Sequence, residues 1–167
     1  MSSLRQYIRE IPDFPQPGIL FRDITPLLRE HFDATLAHMS ELVSGAEWSR
    51  IDAVAGIEAR GFILAAALAA RHGKGFVPIR KDGKLPPPVV RATYALEYGT
   101  SAVEMRQGTG NLLIVDDVLA TGGTITASAN LAIEAGYGVT ALVSLIDLNL
   151  VKGFSWKEHI VRAVVTY

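Results

Sequence analysis

Two adjacent acids, Asp116 and Asp117, follow directly on the apolar run Leu112-Leu113-Ile114-Val115. After Val118, Leu119 and Ala120 comes a small-residue turn, Thr121-Gly122-Gly123-Thr124, which opens a helical pattern. A four-residue apolar run of this kind reads as a buried parallel strand. Carboxylates at the carboxyl end of such a strand sit where open α/β sheets bind ligands. Neighbouring carboxylates resist joint desolvation, so they call for a counter-charge, a metal-bearing ligand or donating hydroxyls. Backbone donors of a Gly-rich turn at a helix N-terminus suit a phosphate. Acceptors for hydroxyls beside donors for a phosphate point to a sugar phosphate.

Three further stretches carry reactive side chains. Gly56-Ile57-Glu58-Ala59-Arg60-Gly61 is a turn holding an acid and a base. Arg80-Lys81-Asp82-Gly83-Lys84 packs three cations into five residues, ahead of Pro86-Pro87-Pro88. This is an exposed basic loop, read either as a solvated charge cluster or as a mobile grip on phosphate. Residues 13–26 contain Phe14, Ile19, Leu20 and Phe21, and four of the eight prolines fall at positions 12, 15, 17 and 26. That irregular region is either a surface segment stapled to the core or a flap over a flat apolar ligand.

The elements that must position these groups follow from periodicity. Ser3 to Gln6 can form a capping box, with Leu4, Tyr7, Ile8 and Ile11 at helical spacing before Pro12. Phe32, Leu36, Met39 and Val43 mark a second amphipathic helix, ending near Gly45. Residues 51–55 read as a strand, 62–72 as an Ala-rich helix stopped by Gly73, and 76–79 as the next strand. Strand, turn, helix and strand make a βαβ unit with a right-handed crossover. Strand-like segments at 89–97 and 102–106, around Gly99-Thr100-Ser101, suggest a hairpin. A helix carrying Ile125, Ala129, Ala132 and Ile133 stops at Gly136. An apolar strand at 139–146 and a final one at 161–165 follow, with a short amphipathic piece between. The order predicts an α/β fold with a mainly parallel sheet of about five strands.

The bulk properties narrow the function. The chain has 167 residues, 49% hydrophobic and 20% charged, as expected of one globular domain spanning 1–167. A net charge of -1 advertises no nucleic-acid or membrane partner. There is no cysteine, hence no disulfide or thiolate metal site. Residues 1–5 show no apolar leader run, and a cytoplasmic protein is expected. No Walker A pattern, no Gly-x-Gly-x-x-Gly after the first strand and no Gly-x-Ser-x-Gly elbow is present. His31, His38, His72 and His159 are scattered without metal-ligand spacing.

Residues 113–125, L-I-V-D-D-V-L-A-T-G-G-T-I, resemble the phosphoribosyl-pyrophosphate (PRPP) motif of the type I phosphoribosyltransferases. Residues 13–15 and 17–26 resemble the hood of the adenine phosphoribosyltransferase family, and 56–62 its pyrophosphate loop. Residues 80–86 with Leu96-Glu97-Tyr98-Gly99 resemble its flexible catalytic loop. The four motifs stand in the family's order and cover nearly the whole chain. The resemblance implies a hood within 1–34, a loop and hairpin lid at 80–106, and a reaction of adenine with PRPP to AMP and pyrophosphate. It implies Mg2+ carried in with PRPP and water, with no direct protein ligand, and a homodimer. By carry-over, Asp116 and Asp117 hold the ribose hydroxyls, and Ala120, Thr121, Gly122, Gly123 and Thr124 bind the 5′-phosphate. Glu58, Ala59, Arg60, Arg80, Lys81 and Lys84 meet the pyrophosphate. Phe21 stacks on the purine opposite Val118 or Leu119, and backbone near Leu20 and Arg22 reads the base edge. Glu97 handles the proton near the purine, and Tyr98 orders the closed loop, so Glu97, Tyr98 and Arg60 are the expected catalytic set. A transferase for another 6-substituted purine and a non-catalytic PRPP-binding regulator are the alternatives.

Overall fold

A computed structural model describes residues 4–95 and 100–167. The apolar runs become the parallel centre of a sheet. In chain order its strands are β3 (Ala53–Ile57), β4 (Gly75–Lys81), β5 (Val90–Ala95), β6 (Thr100–Met105), β7 (Asn111–Leu119), β8 (Gly138–Asp147), β9 (Ser155–Trp156) and β10 (His159–Thr166). A separate antiparallel pair, β1 (Arg9–Ile11) and β2 (Phe21–Asp23), precedes them. Across the sheet the order is β5-β6-β4-β3-β7-β8-β10-β9. The neighbours β4, β3, β7, β8 and β10 pair in parallel, and β5, β6 and β9 add antiparallel edges. The expected five strands are thus the parallel set, and the edges extend it.

The helices are α1 (Thr25–Glu30), α2 (Phe32–Glu41), α3 (Gly45–Arg50), α4 (Arg60–Arg71) and α5 (Gly123–Glu134). Along β7 alternate residues face opposite cores, as the pleat dictates. Leu113 and Val115 join a core with Leu36 and Met39 of α2 and Leu64 and Leu68 of α4. Leu112 and Ile114 join the opposite core with Ile125, Ala129 and Ala132 of α5. Both faces are therefore covered, as a continuous apolar run demands.

Several local expectations are corrected. The helix expected from Leu4 to Ile11 is a 3-10 turn, Leu4–Tyr7, after which β1 pairs with β2 in the register Glu10 to Arg22. Residues 13–26 are not irregular to their end: β2 lies there, and Pro26 occupies the first turn of α1, where a missing N–H costs nothing. Gly45 begins a helix as well as following one, since Ser44 caps α3 in a reciprocal box with Glu47. Arg80 and Lys81 lie in β4, so the exposed loop begins at Asp82. Pro78 is tolerated in β4 because β6 pairs only with Arg80 and Lys81. Thr100 and Ser101 belong to β6 and not to the hairpin turn, and 96–99 lie outside the described residues. The short amphipathic piece between the last two long strands holds β9, antiparallel to β10.

Candidate active site

The strand order reverses between β3 and β7. From β3 the chain crosses to β4 on one side, and from β7 to β8 on the other. A crevice outside the carboxyl ends of two such strands is where open α/β sheets bind ligands. The turn after β3 carries Glu58, Ala59 and Arg60; the end of β7 carries Asp116 and Asp117. Here the structure sharpens the sequence reading, because β7 does not stop at Val115. It continues to Leu119 against β8, whereas β3 pairs with it only as far as Val115. The two acids are thus strand residues that lose one neighbour and gain a crevice.

Both acids are 9% exposed. Asp116 Oδ1 accepts the Asp117 N–H at 2.9 Å. Burial first, and then the adjacent Asp117 charge, push the Asp116 carboxyl well above the usual carboxylate range. Arg60, the first residue of α4, supplies the counter-charge, with Nη2 2.5 Å from Asp117 Oδ2. Its Nη1 donates to the Arg22 carbonyl at 3.1 Å, and its guanidinium lies 5.0 Å from the Phe21 ring centroid. One side chain therefore ties the acid pair to the hood. Gly61 lets α4 start this close to β7: a Cβ there would sit 3.1 Å from the Val115 carbonyl oxygen and 3.3 Å from Asp116 Oδ1.

The acid of the β3 turn is held differently. Glu58 pairs with Arg80 through Nε at 3.3 Å and Nη2 at 3.1 Å, and accepts the Lys81 N–H at 2.9 Å. Arg80 chiefly, helped by that N–H, holds the Glu58 carboxyl below its ordinary value against the opposing effect of burial. The Glu58–Ala59 peptide is cis. Arg80 also donates to the Lys84 carbonyl at 3.2 Å. The N–H groups of Lys84 and Leu85 donate in turn to Glu104 Oε1, each at 2.6 Å. Glu104 is 1% exposed, and no sequence signal marked it. It anchors the root of the basic loop.

On the far side of the acids, β7 runs into the Thr121–Thr124 turn. Gly122 takes φ +86°, and a Cβ there would strike the Phe154 ring. Asp116, Val118, Ala120, Thr121, Gly122 and Thr124 help line a cavity of about 140 Å³. A second cavity of about 250 Å³ is lined by Glu58, Lys81, Tyr94, Asp116, Asp117 and Thr124, among others. The two share Asp116 and Thr124. Tyr94 was not expected at the site; its hydroxyl accepts from Thr124 Oγ1 at 3.3 Å, tying β5 to the turn.

A family profile described as the phosphoribosyl transferase domain matches residues 30–158. The chain belongs to the phosphoribosyltransferase family. An adenine phosphoribosyltransferase of Hydrogenovibrio crunogenus is 49% identical over 165 residues, covering 98% of this chain and 96% of its own. The crystal structure of adenine phosphoribosyltransferase from Thermoanaerobacter pseudethanolicus superposes with a TM-score of 0.88 at 40% identity, covering 98% of both chains. That of Saccharomyces cerevisiae, complexed with an imino-altritol bisphosphate and adenine, gives a TM-score of 0.88 at 33% identity over 96% of both chains. The fold is the type I phosphoribosyltransferase fold.

Within this phosphoribosyltransferase the expected site residues divide into groups. Asp116, Asp117 and the 120–124 turn meet around the two cavities, with Glu58 and Lys81 at one end. Arg80 and Lys84 form the root of the loop, and Ala59 is exposed between Glu58 and Arg60. Arg60, expected to face pyrophosphate, is engaged with Asp117 and the hood. Leu20 is exposed, and Phe21 meets Phe14 edge-on at 5.1 Å. Of the two residues expected opposite Phe21, Val118 packs on the core that holds Ile24 and Leu27, beside the hood. Leu119 is buried in the α5 core instead. Glu97 and Tyr98 lie outside the described residues.

Proposed function

We propose that the chain transfers the phosphoribosyl group of PRPP to adenine, giving AMP and pyrophosphate in purine salvage. The observation that carries this reading is the pair of cavities meeting at Asp116 and Thr124. One is enclosed by the glycine turn, and the other is bordered by Lys81 and the Arg80-held Glu58. A 5′-phosphate suits the first, a diphosphate the second, and ribose hydroxyls the acids between them. The nearly full-length relatives named for adenine support the choice of base.

In the reaction the purine N9 forms a bond to ribose C1′ as the bond from C1′ to the pyrophosphate oxygen breaks. The N9 proton leaves to a base, the role we give Glu97. Positive charge grows on the ribose and negative charge on the leaving group. Asp116 and Asp117 accept the ribose hydroxyls and face the growing positive charge. Lys81, Arg80 and Lys84 face the leaving group, with Glu58 and Ala59 shaping its pocket. Arg60 is released from Asp117 to the pyrophosphate side when the hydroxyls take its place. Phe21 and Val118 sandwich the base, and Leu20 and Arg22 present backbone groups to its edge. Tyr98 orders the closed loop, which excludes water from PRPP.

Hard oxygen donors suit Mg2+. Among the described residues no cluster of three or more His, Asp or Glu could hold an ion alone. Asp116 and Asp117 would stand near an ion that arrives with the diphosphate and water, with no protein atom as its direct ligand. When bound, it neutralises part of the diphosphate charge. We further propose a homodimer through the α4 and β4 side, where Ile63 and Phe76 are exposed, and a cytoplasmic setting. No helix among the described residues is long and apolar enough to cross a membrane.

Steady-state assays with PRPP, Mg2+ and separate bases test the reading. Adenine turns over faster than hypoxanthine or xanthine. Faster turnover of either oxopurine overturns the base, and PRPP binding without turnover of any base favours the regulator.

A further inference from the structure

Arg22 is the unusual residue of the hood. Its backbone lies in β2, and its carbonyl receives Arg60. Its guanidinium, by contrast, takes no part in the proposed site. The side chain is 13% exposed, and Nε is buried without a hydrogen-bond acceptor. A buried guanidinium is costly unless its charge is met. Two groups meet it. The Glu10 carboxylate of β1 forms an ion pair with Nη1, and the Tyr167 ring lies 3.8 Å from the guanidinium carbon.

Tyr167 is itself well fixed. Its N–H donates to the Asp147 carbonyl at 3.0 Å, extending the pairing of β10 with β8. A second guanidinium, Arg5, lies over the same ring at 4.0 Å. Cation–π attraction strengthens when the cation is desolvated, as Arg22 is. A planar guanidinium also uses an aromatic face better than an ammonium does. The contacts form one path: β8 and β10 hold Tyr167, Tyr167 holds Arg22, and the Arg22 carbonyl holds Arg60 beside Asp117.

We propose that Tyr167 is a positioning residue for base recognition, clamping the Arg22 side chain so that backbone 20–22 keeps its place over the base. This rests on the hood reading of the proposed function. The contact acts on the base side of the site, and the phosphate turn and basic loop are built by other elements.

The test compares Tyr167→Phe, which keeps the ring, with Tyr167→Leu, which keeps apolar bulk but removes the π face. Tyr167→Leu raises the KM for adenine about tenfold, with the KM for PRPP within about twofold of wild type. Tyr167→Phe restores the wild-type value. Arg22→Lys probes the same contact from the other side and shifts the adenine KM in the same direction. An unchanged adenine KM in Tyr167→Leu, or an equal rise for PRPP, overturns the proposal. Amide hydrogen exchange at residues 20–24 reads the clamp without turnover: it quickens in Tyr167→Leu and not in Tyr167→Phe. If wild-type protein turns over no adenine, the functional reading fails, while the exchange result still decides the clamp. Equal exchange in the two variants refutes it.

Discussion

Asp116 and Glu104 are both buried carboxyls near the crevice, yet their surroundings drive them in opposite directions. For Asp116, burial and the neighbouring Asp117 charge outweigh the Asp117 N–H and Arg60, and the carboxyl is pushed well up. For Glu104, burial also pushes upward, but the backbone N–H groups of Leu85, Gly83 and Lys84, together with Arg91, outweigh it and hold the carboxyl below its usual value. The difference lies in the donors the fold supplies. Glu104 is satisfied internally, so it serves as an anchor. Asp116 accepts one backbone N–H and faces the Asp117 carboxylate, whose Oδ2 is ion-paired with Arg60 but accepts no hydrogen bond, so the pair is built for donors that arrive with a ligand.

Asp116→Asn gives the largest contrast. Turnover of adenine with PRPP falls about a hundredfold, while the thermal midpoint of the free protein rises. Its folded-state pKa is raised, so wild type loses stability as pH climbs from the ordinary carboxylate range to the raised value. The variant is spared that loss, and its advantage widens with pH over that window. A lower midpoint than wild type at neutral pH would break the comparison. Glu104→Leu comes next and behaves conversely. It strands the Lys84 and Leu85 N–H groups and costs about 2 kcal/mol in denaturant unfolding. Because the Glu104 pKa is depressed, its stabilisation is present above the ordinary carboxylate range and is lost as pH falls through the lowered value. Equal stability of variant and wild type at pH 7 would show that the anchor carries no weight. The smallest effect is that of Gly61→Ala, whose methyl crowds the Val115 carbonyl and Asp116. It lowers stability by about 1 kcal/mol and shifts the Asp116 pH response without touching that of Glu104, as midpoint-versus-pH profiles would show.

The same contrast explains what could be read from the chain. Asp116, Asp117 and the glycine turn are legible because their setting is local: an apolar run, then acids, then a turn. Their counter-charge is not local. Arg60 lies more than fifty residues away, and only the parallel register of β3 and β7 brings its helix to the acids. Glu104 meets donors about twenty residues upstream, and nothing in its strand announces them. Elsewhere two local signals compete. Ser44-Gly45-Ala46-Glu47 is a readable capping box, though Gly45 after an amphipathic run also reads as a helix stop. Pro26 falls in the proline-marked region 13–26, although the first helical turn accepts it. At 9–11, apolar spacing suggested a helix, and pairing with β2 decided for a strand.

The capping box of α3 has a consequence for how the protein comes to be folded. Glu47 accepts from Ser44 and also pairs with Arg162 of β10, more than a hundred residues later, at 2.6 Å. Arg162 donates to the Leu42 carbonyl as well. The 3-10 turn at Leu4–Tyr7 likewise reaches Thr166, through Arg5. Early and late segments thus complete one another, and β10 is part of the central parallel set. Contacts of such long sequence separation make folding slow, because loop closure must precede their reward. A nascent chain can form α4 against β3 and α2 as soon as these are made, but the Leu4–Tyr7 turn and the Glu47 cap of α3 wait for β10 before their contacts are complete.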